Sequence, residues 1–425
     1  MQYFSELRDN WRPLLAAAIG LGSGMAVVGP VTSTIVPNLI AEVGWSKATF
    51  AAVGSISILT SVSFPVIGRL VDMIGVRWTA FIGQALLPLI YFAYSMMNGE
   101  FWVYCTIFVI QALFCVTTTS TVYTRLVVQY ITQARGLALA IVASGPAIVG
   151  LVLAPALNHY VEVSGWRAAY QAVAVFSLIA GLATFLLIPS HPHEKASPMP
   201  RAQAKPRAKE DYAEIFRSRA FWFLLVSMLL CNLPQTIPLV QLKMLMLANG
   251  VSGEGTGVML SAMSLGMLAG RFVAGVALDR YNAHIVSFIT LGLPSLGLYI
   301  IASSYDAPSV LTIAVFCVGF AFGAEGDIVA FLVARHFPVR IYGTVLGMLA
   351  AGISFSTASG AGLLSITMAR TGGYDFYLWL VGTAVLAGSV LLLMLGKGHK
   401  PKAEEAARAI EEEMTHPGVP GTGQA

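Results

Sequence analysis

The chain has 425 residues, of which 56% are hydrophobic and only 11% are charged, and its mean hydropathy is +0.75. Soluble domains carry roughly 25% charged residues, so this composition excludes a soluble enzyme. A net charge of +4, with the excess in loops, does not indicate nucleic-acid binding. The four cysteines lie in apolar segments without metal-ligand spacing, so we expect neither a metal site nor disulfides. The composition predicts a polytopic membrane protein.

Twelve apolar segments are long enough to cross a bilayer as helices, which takes about 20 residues each. Numbered as spans 1 to 12, they are predicted at residues 13–38, 48–70, 78–97, 102–129, 136–160, 167–188, 220–248, 256–278, 284–303, 308–334, 342–368 and 374–396. The expected fold is therefore all-α and integral to the membrane, with 12 transmembrane helices.

Lysine and arginine are divided unevenly between the two sides of these spans. If both termini lie on one side, that side receives 19 of the 25 basic residues, the opposite side three, and the spans three. By the positive-inside rule we expect a multi-pass protein of the cytoplasmic (inner) membrane with both termini in the cytoplasm. Residues 1–188 and 220–396 are predicted to form two six-helix bundles. The polar stretches 189–219 and 397–425 are expected to be a cytoplasmic linker and a cytoplasmic tail.

The two predicted bundles align with each other, without a gap, at an offset of 207 positions. The matched pairs include Gly68 with Gly275, Asp72 with Asp279, and Gly136 with Gly343. Gly-x-x-x-Asp recurs at the end of both span 2 and span 8, which chance explains poorly. Six spans repeated in parallel indicate two pseudo-symmetric halves related by an axis along the membrane normal, with a substrate bound between them.

The segment Gly68-Arg-Leu-Val-Asp72-Met-Ile-Gly75-Val-Arg77 resembles the loop 2–3 signature of the major facilitator superfamily. We expect Asp72 to face the positive N-terminus of span 11 and Arg77 to pair across the loop. The resemblance implies that this contact latches an outward-open state. The residues expected in the latch are Gly68, Asp72 and Arg77, with Asp279 and Arg280 from the degenerate second copy. The alternative is a solvated loop that only supplies positive charge.

Further motifs resemble the monocarboxylate transporter branch and its bacterial relatives, including the oxalate/formate-type antiporters. They are Gly165-Trp-Arg with Tyr170, Arg135-Gly-Leu-Ala-Leu-Ala, Gly270-Arg271, and Glu325-Gly-Asp327 followed by Arg335-His-Phe. In that branch the arginine matching Arg271 is implicated in binding the substrate carboxylate. Two departures are visible. Met267 stands where eukaryotic members carry an aspartate, and residues 347–352 lack the span 11 lysine of the oxalate-type antiporters, which argues against a dicarboxylate clamp.

Ionisable side chains inside a membrane cost several kcal/mol and are functional candidates for that reason. They are Arg125, Lys243, Arg271, Glu325 and Asp327. Arginine binds a carboxylate through two parallel N–H bonds, so we expect Arg271 to bind an anionic substrate. The alternative is that Arg271 forms a permanent ion pair with span 10. Arg125 is expected to be a second anion contact or an inner gate, unless it only snorkels to the interface, as we expect of Lys243.

The two acidic residues of span 10 are two positions apart and cannot face the same direction of one helix. Burial disfavours the charged form of a carboxyl group, which suits a proton carrier, so Glu325 and Asp327 are the candidates for proton coupling. The alternative is that both only neutralise arginines. Neutral polar candidates for the substrate cavity are Ser33, Tyr123, Asn232 and Gln235.

Together these features predict a secondary active transporter of small organic anions, most of all monocarboxylates, that works by proton symport and alternating access. We expect a monomeric functional unit in a lipid bilayer, with a small carboxylate and protons as partners, no cofactor and no nucleic acid. The absence of a phosphate-binding Gly-x-x-x-x-Gly-Lys motif argues against ATP as the energy source. A carboxylate/carboxylate antiporter, an efflux pump for hydrophobic compounds and a non-transporting sensor are the alternatives.

Overall fold

The computed structural model describes residues 2–45, 58–189, 208–237, 242, 245–246, 249–303 and 307–396. Within these ranges the regular elements are helices, and no strand occurs. The helices of the first half are Gln2–Asp9, Trp11–Ser23, Val28–Val43, Ile58–Ile74, Val76–Met96, Phe101–Phe114, Ser120–Tyr130, Arg135–Ala143 and Gly145–Leu187. The helices that follow are Ala208–Arg217, Arg219–Cys231, Gly253–Arg280, Ala283–Ile301, Pro308–His336, Val339–Thr371 and Asp375–Leu393.

Eight helical segments of the described chain are long and apolar enough to cross a membrane, and they correspond to spans 3, 4, 6, 8, 9, 10, 11 and 12. The other four predicted spans are interrupted or only partly described. Span 1 is divided by a 3₁₀ turn at Met25–Val27, and span 5 is interrupted after Ala143. Spans 2 and 7 run into residues 46–57 and 238–248, which are outside the described residues wholly or in large part.

The interruptions of spans 1 and 4 face each other inside the first half. Span 4 contains a 3₁₀ turn at Cys115–Thr118, and the Met25 N–H of span 1 donates to Thr118 Oγ1 at 2.9 Å. Broken membrane helices need such partners because no water is present to bond the freed backbone groups. At the offset of 207, Glu325 of span 10 occupies the position of Thr118, in a helix that is not broken.

Spans 5 and 6 form one helical run, Gly145–Leu187, that turns at Gly165. Gly165 has φ = 79°, which only glycine adopts without strain. The two residues that follow bind the end of span 1: Trp166 Nε1 donates to Glu42 Oε2 at 2.7 Å, and Arg167 Nη1 lies 2.6 Å from Glu42 Oε1. The motif Gly165-Trp166-Arg167 therefore fixes the packing of span 6 against span 1.

Buried hydrophobic residues form three clusters. The largest contains residues of both halves, among them Val71 and Leu126 of the first half and Leu278 and Ile341 of the second. The other two clusters are each confined to one half. The shared cluster lies at the end of the bundle that carries Arg69, Arg135, Arg280 and Arg340, which we call the basic end. Among the described residues, the two halves thus share their hydrophobic core at the basic end.

Candidate functional site

Asp72, at the basic end of span 2, binds the first two turns of span 11. Its carboxylate accepts hydrogen bonds from Gly343 N at 3.0 Å, from Thr344 N at 2.6 Å and from Thr344 Oγ1 at 2.6 Å. Negative charge is favourable there because backbone N–H groups and the helix dipole present positive partial charge. This is the arrangement that the sequence predicts for Asp72, and it joins the first half to the second.

The contact repeats with the halves exchanged. Asp279, at the basic end of span 8, accepts from Gly136 N at 2.6 Å and from Leu137 N at 3.0 Å, at the start of span 5. The pairing follows the 207-residue offset, because Gly136 and Leu137 correspond to Gly343 and Thr344. The reciprocal contact between the halves is therefore encoded in the internal repeat.

Close approach of the backbones makes these contacts possible. A Cβ on Gly68 would overlap the carbonyl oxygen of Gly343, and a Cβ on Gly136 would overlap that of Gly275. Spans 2 and 11, and spans 5 and 8, thus cross with backbone against backbone. Any larger residue at Gly68 would push the paired helices apart.

Arg125 belongs to this basic-end cluster and not to a cavity between the halves. Its Nη1 lies 2.8 Å from Asp72 Oδ1 and also donates to the carbonyl of Val71, and the residue is only 4% exposed. A substrate carboxylate would have to displace Asp72 to reach it. In this conformation Arg125 thus lies in the contact between the halves, and its expected role as a second anion contact or an inner gate stays a prediction.

Arg77 and Arg280 are the remaining residues expected at this end. The Arg77 guanidinium lies 4.4 Å above the ring of Phe185, at the end of span 6 in the same half. Arg280 is exposed at the last position of the span 8 helix.

The linker contributes a contact that the sequence did not predict. Its helix, Ala208–Arg217, carries Asp211, which is buried between Arg69 of the first half at 2.5 Å and Arg340 of the second half. Glu214 binds Arg340 as well, at 2.5 Å. The available signal was a group of acidic residues in an otherwise basic loop, directly before span 7. The linker therefore joins both halves through opposite charges at the basic end.

Arg271 lies in span 8, eight residues before Asp279, which is about 12 Å along a helix. Its Nε donates to the Gly323 carbonyl of span 10 at 3.2 Å, and its Nη1 donates to the Ala143 carbonyl of span 5, in the other half. Asp327 Oδ2 is 3.7 Å from Nε, beyond hydrogen-bond distance. The Arg271 side chain is 24% exposed, so this charged group is not fully enclosed by its partners.

The two acidic residues of span 10 face different surroundings, as their spacing predicts. Asp327 is turned towards Arg271, and its Oδ2 has no hydrogen-bond partner. Glu325 accepts from Gln235 Nε2 of span 7 at 2.6 Å. Glu325 also borders a pocket within the second half, whose lining comes from spans 7, 9 and 10: Cys231, Pro234, Gln235, Leu291, Pro294, Leu298, Val318, Ala321, Phe322 and Glu325. The site around Arg271 and the pocket at Glu325 are thus separate environments.

Two of the neutral candidates are fully buried. Tyr123 accepts at its hydroxyl from Gln84 Nε2 at 2.9 Å, and Gln84 also donates to the Gly20 carbonyl at 3.0 Å. Asn232 Nδ2 donates to the Met228 carbonyl at 2.8 Å, and its Oδ1 accepts from Gln235 Nε2 at 2.8 Å. Neither Tyr123 nor Asn232 offers surface to a substrate in this conformation, and their expected place in the substrate cavity stays a prediction.

Two further candidates fall outside what the structure describes. Ser33 lies in the helix Val28–Val43, but its side chain is outside the described residues. Lys243 is likewise outside them.

The sequence profile of the Major Facilitator Superfamily matches residues 14–237 and 233–420. Monocarboxylate transporter 11 of Homo sapiens is 25% identical over 324 residues, which are 69% of this chain and 66% of that protein. The fujikurins efflux protein of Gibberella fujikuroi is 26% identical over 278 residues, which are 61% of this chain and 56% of that protein. The chain thus spans about half to two thirds of the length of the relatives that it matches.

Among solved structures, a bacterial homologue of the iron transporter ferroportin in an outward-facing state has a similar fold. The TM-score is 0.70 at 15% identity, and the match covers 91% of this chain and 98% of that chain. At this identity the likeness concerns the fold alone. It agrees with the all-α fold of two halves predicted from the sequence.

The pairing of Asp72 with Arg125 predicts coupled effects on stability. Asp72→Asn and Arg125→Gln should each lower the free energy of unfolding by about 3 to 5 kcal/mol, because each leaves a buried charge without its partner. The double variant should cost less than the sum of the two, because it leaves no unpaired charge. Thermal unfolding of the purified protein measures both effects. Arg370→Gln, at an exposed arginine of the opposite end, is the control, and strictly additive losses would contradict the pairing.

Proposed function

Because the chain belongs to the major facilitator superfamily and is therefore a membrane transporter and not an enzyme, we propose that it carries small organic anions, most of all monocarboxylates. Arg271 is the observation that carries this proposal. Its guanidinium is always charged, lies inside the membrane-spanning bundle where the halves meet, and is partly exposed. A carboxylate is the ligand that best matches such a group, since it accepts two parallel N–H bonds.

Arg125, the other arginine that we singled out inside the spans, bears on how many carboxylates the substrate carries. Arg125 is paired with Asp72, so it does not supply a second positive charge beside Arg271. Among the described residues, a dicarboxylate would then find no second unpaired cation beside Arg271, and an unpartnered charge in the membrane is costly. The name of monocarboxylate transporter 11 agrees with this substrate class.

A second candidate function is efflux of hydrophobic compounds. The fujikurins efflux protein is a relative at similar identity, and the pocket at Glu325 is lined mainly by apolar side chains. The two functions differ in what they require of the cargo, because only the first needs an anionic group at Arg271. Exchange of one carboxylate for another would use the same arginine and differs from proton symport only in the coupled partner.

Proton coupling is proposed for the acidic residues of span 10. Asp327 is buried beside Arg271, so binding of a substrate anion to that arginine changes the charge next to Asp327. Glu325 is buried beside Gln235, at the edge of the pocket. Because burial disfavours an unpaired carboxylate, either group is suited to bind a proton in one state and release it in the other.

Transport is proposed to proceed by alternating access in the cytoplasmic (inner) membrane, with the basic end and both termini in the cytoplasm. Residues 1–188 and 220–396 would rock against each other about the substrate, with 189–219 as the linker and 397–425 as the tail. In this orientation the contacts of Gly68, Asp72 and Asp279 hold the cytoplasmic end closed. The proposed functional unit is the monomer.

Arg271→Lys tests the carboxylate site. Lysine keeps the charge but loses the planar fork, so uptake of radiolabelled monocarboxylates into proteoliposomes should fall at least about tenfold, the equivalent of about 1.4 kcal/mol. Membrane expression and monodispersity should stay unchanged, and Arg370→Lys should transport normally. Undiminished uptake by Arg271→Lys across a panel of monocarboxylates would refute the site.

The acidic residues are tested by separating accumulation from exchange. Asp327→Asn or Glu325→Gln should abolish uptake driven by a pH gradient while retaining counterflow of preloaded substrate, because exchange needs no net proton movement. Asp375→Asn, at an exposed position at the start of span 12, is the matched control. If both variants still concentrate substrate in response to the gradient, neither residue is the proton carrier.

A further inference from the structure

Arg271 connects the two halves as well as facing the region between them. Its Nη1 donates to the Ala143 carbonyl of span 5, and its Nε donates to the Gly323 carbonyl of span 10. One guanidinium therefore bridges the first and second halves. The contact lies two helical turns from the one between Asp279 and Gly136, along the same pair of spans.

The Ala143 carbonyl is available because the helix is interrupted at this point. The helix Arg135–Ala143 ends there, and the next begins at Gly145. Pro146 has no N–H, so the neighbouring Val142 carbonyl also lacks the donor that it would have in a continuous helix. The interruption in span 5 thus presents backbone acceptors to span 8.

In the described part of the other interface between the halves, that of spans 2 and 11, no arginine occupies the matching position. At the offset of 207, Arg271 corresponds to Phe64 and Ala143 to Ala350. Where spans 2 and 11 cross, Gly347 packs directly against the backbone of Phe64. Among the described residues, the interface of spans 5 and 8 therefore contains a partly exposed arginine at a depth where the interface of spans 2 and 11 has a phenylalanine.

A carboxylate is a stronger acceptor for a guanidinium than a peptide carbonyl is, because it carries a full negative charge and accepts two parallel N–H bonds. A bidentate carboxylate binds either Nε together with Nη2 or Nη1 together with Nη2, so each arrangement engages a nitrogen that now donates to a backbone carbonyl. Asp327 forms an ion pair with Arg271 at 3.7 Å, which is longer than a hydrogen bond, so the N–H groups of Arg271 donate to the two carbonyls and not to this carboxylate.

We propose that Arg271 is a coupling residue: without an anion it ties span 8 to span 5 through the Ala143 carbonyl, and a bound carboxylate takes over its N–H groups and releases the tie. Anion binding then favours separation of the halves at the basic end. The inference rests on the proposed function, in which Arg271 receives the substrate carboxylate. It adds that the same arginine links occupancy of the anion site to separation of the halves at the basic end.

The experiment measures the distance between the halves at the basic end by electron–electron double resonance in lipid nanodiscs. Spin labels are attached at Met73→Cys in span 2 and Tyr281→Cys after span 8, both at exposed positions, in a background without the four native cysteines. The ligand-free arm compares the unsubstituted protein with Arg271→Gln. Loss of the tie should raise the ratio of long to short distances about tenfold, as expected for one hydrogen bond to a charged group. Arg370→Gln should leave the ratio unchanged.

The ligand arm adds pyruvate or benzoate to the unsubstituted protein. Whichever of them raises the melting temperature should also increase the long-distance population, and should do so much less in Arg271→Gln. Arg271→Met, which removes all donors, provides a second variant if the glutamine variant does not purify as a monodisperse protein.

The two arms separate failure of this inference from failure of the proposed function. An unchanged ligand-free distribution in both Arg271 variants overturns the tie, whatever the substrate is. A carboxylate that stabilises the protein without moving the distances overturns the coupling while supporting the anion site. If no carboxylate stabilises the protein, the proposed substrate class fails together with the release step.

Discussion

In this chain a carboxylate of each half accepts hydrogen bonds from backbone N–H groups near the start of a helix of the opposite half. Asp72 binds Gly343 and Thr344 of span 11, and Asp279 binds Gly136 at the start of span 5. Each carboxylate is buried or half-buried, so each is stable only while the partner helix stays in place. The closed arrangement of the basic end depends on this mutual requirement.

The two halves have diverged around this shared contact. In the first half Arg125 neutralises Asp72, whereas the corresponding position of the second half is Leu332. In the second half Arg271 and Glu325 stand where the first half has Phe64 and Thr118. The first half thus places its internal charge in the contact between halves, and the second half places its charges where we propose that anions and protons bind.

The contact between the halves was predictable from the sequence because the internal repeat and the preference for negative charge at a helix N-terminus indicate the same residues. The offset of 207 matched both aspartates and both glycine-bearing helix starts, and charge at a helix N-terminus is a local rule, so the reciprocal contact was predictable. The spacing of Glu325 and Asp327 likewise predicted different surroundings for the two. Direction around a helix was not predictable for Arg125, since depth along a span does not specify which neighbour a side chain meets. Asp211 was missed for a related reason: its partners, Arg69 and Arg340, are 142 and 129 positions away.

The central claim is that reciprocal carboxylate-to-backbone contacts hold the halves together at the basic end. It is tested most directly by measuring distances between the halves at both ends of the molecule in one set of variants. Spin labels at Met73 and Tyr281 report the basic end, and labels at the exposed Trp102 and Phe376 report the opposite end. The account predicts a short, narrow basic-end distribution in the unsubstituted protein. In the variant that combines Asp72→Asn and Asp279→Asn, it predicts longer distances at the basic end with shorter distances at the opposite end. Identical distributions at both ends in the two proteins would contradict it.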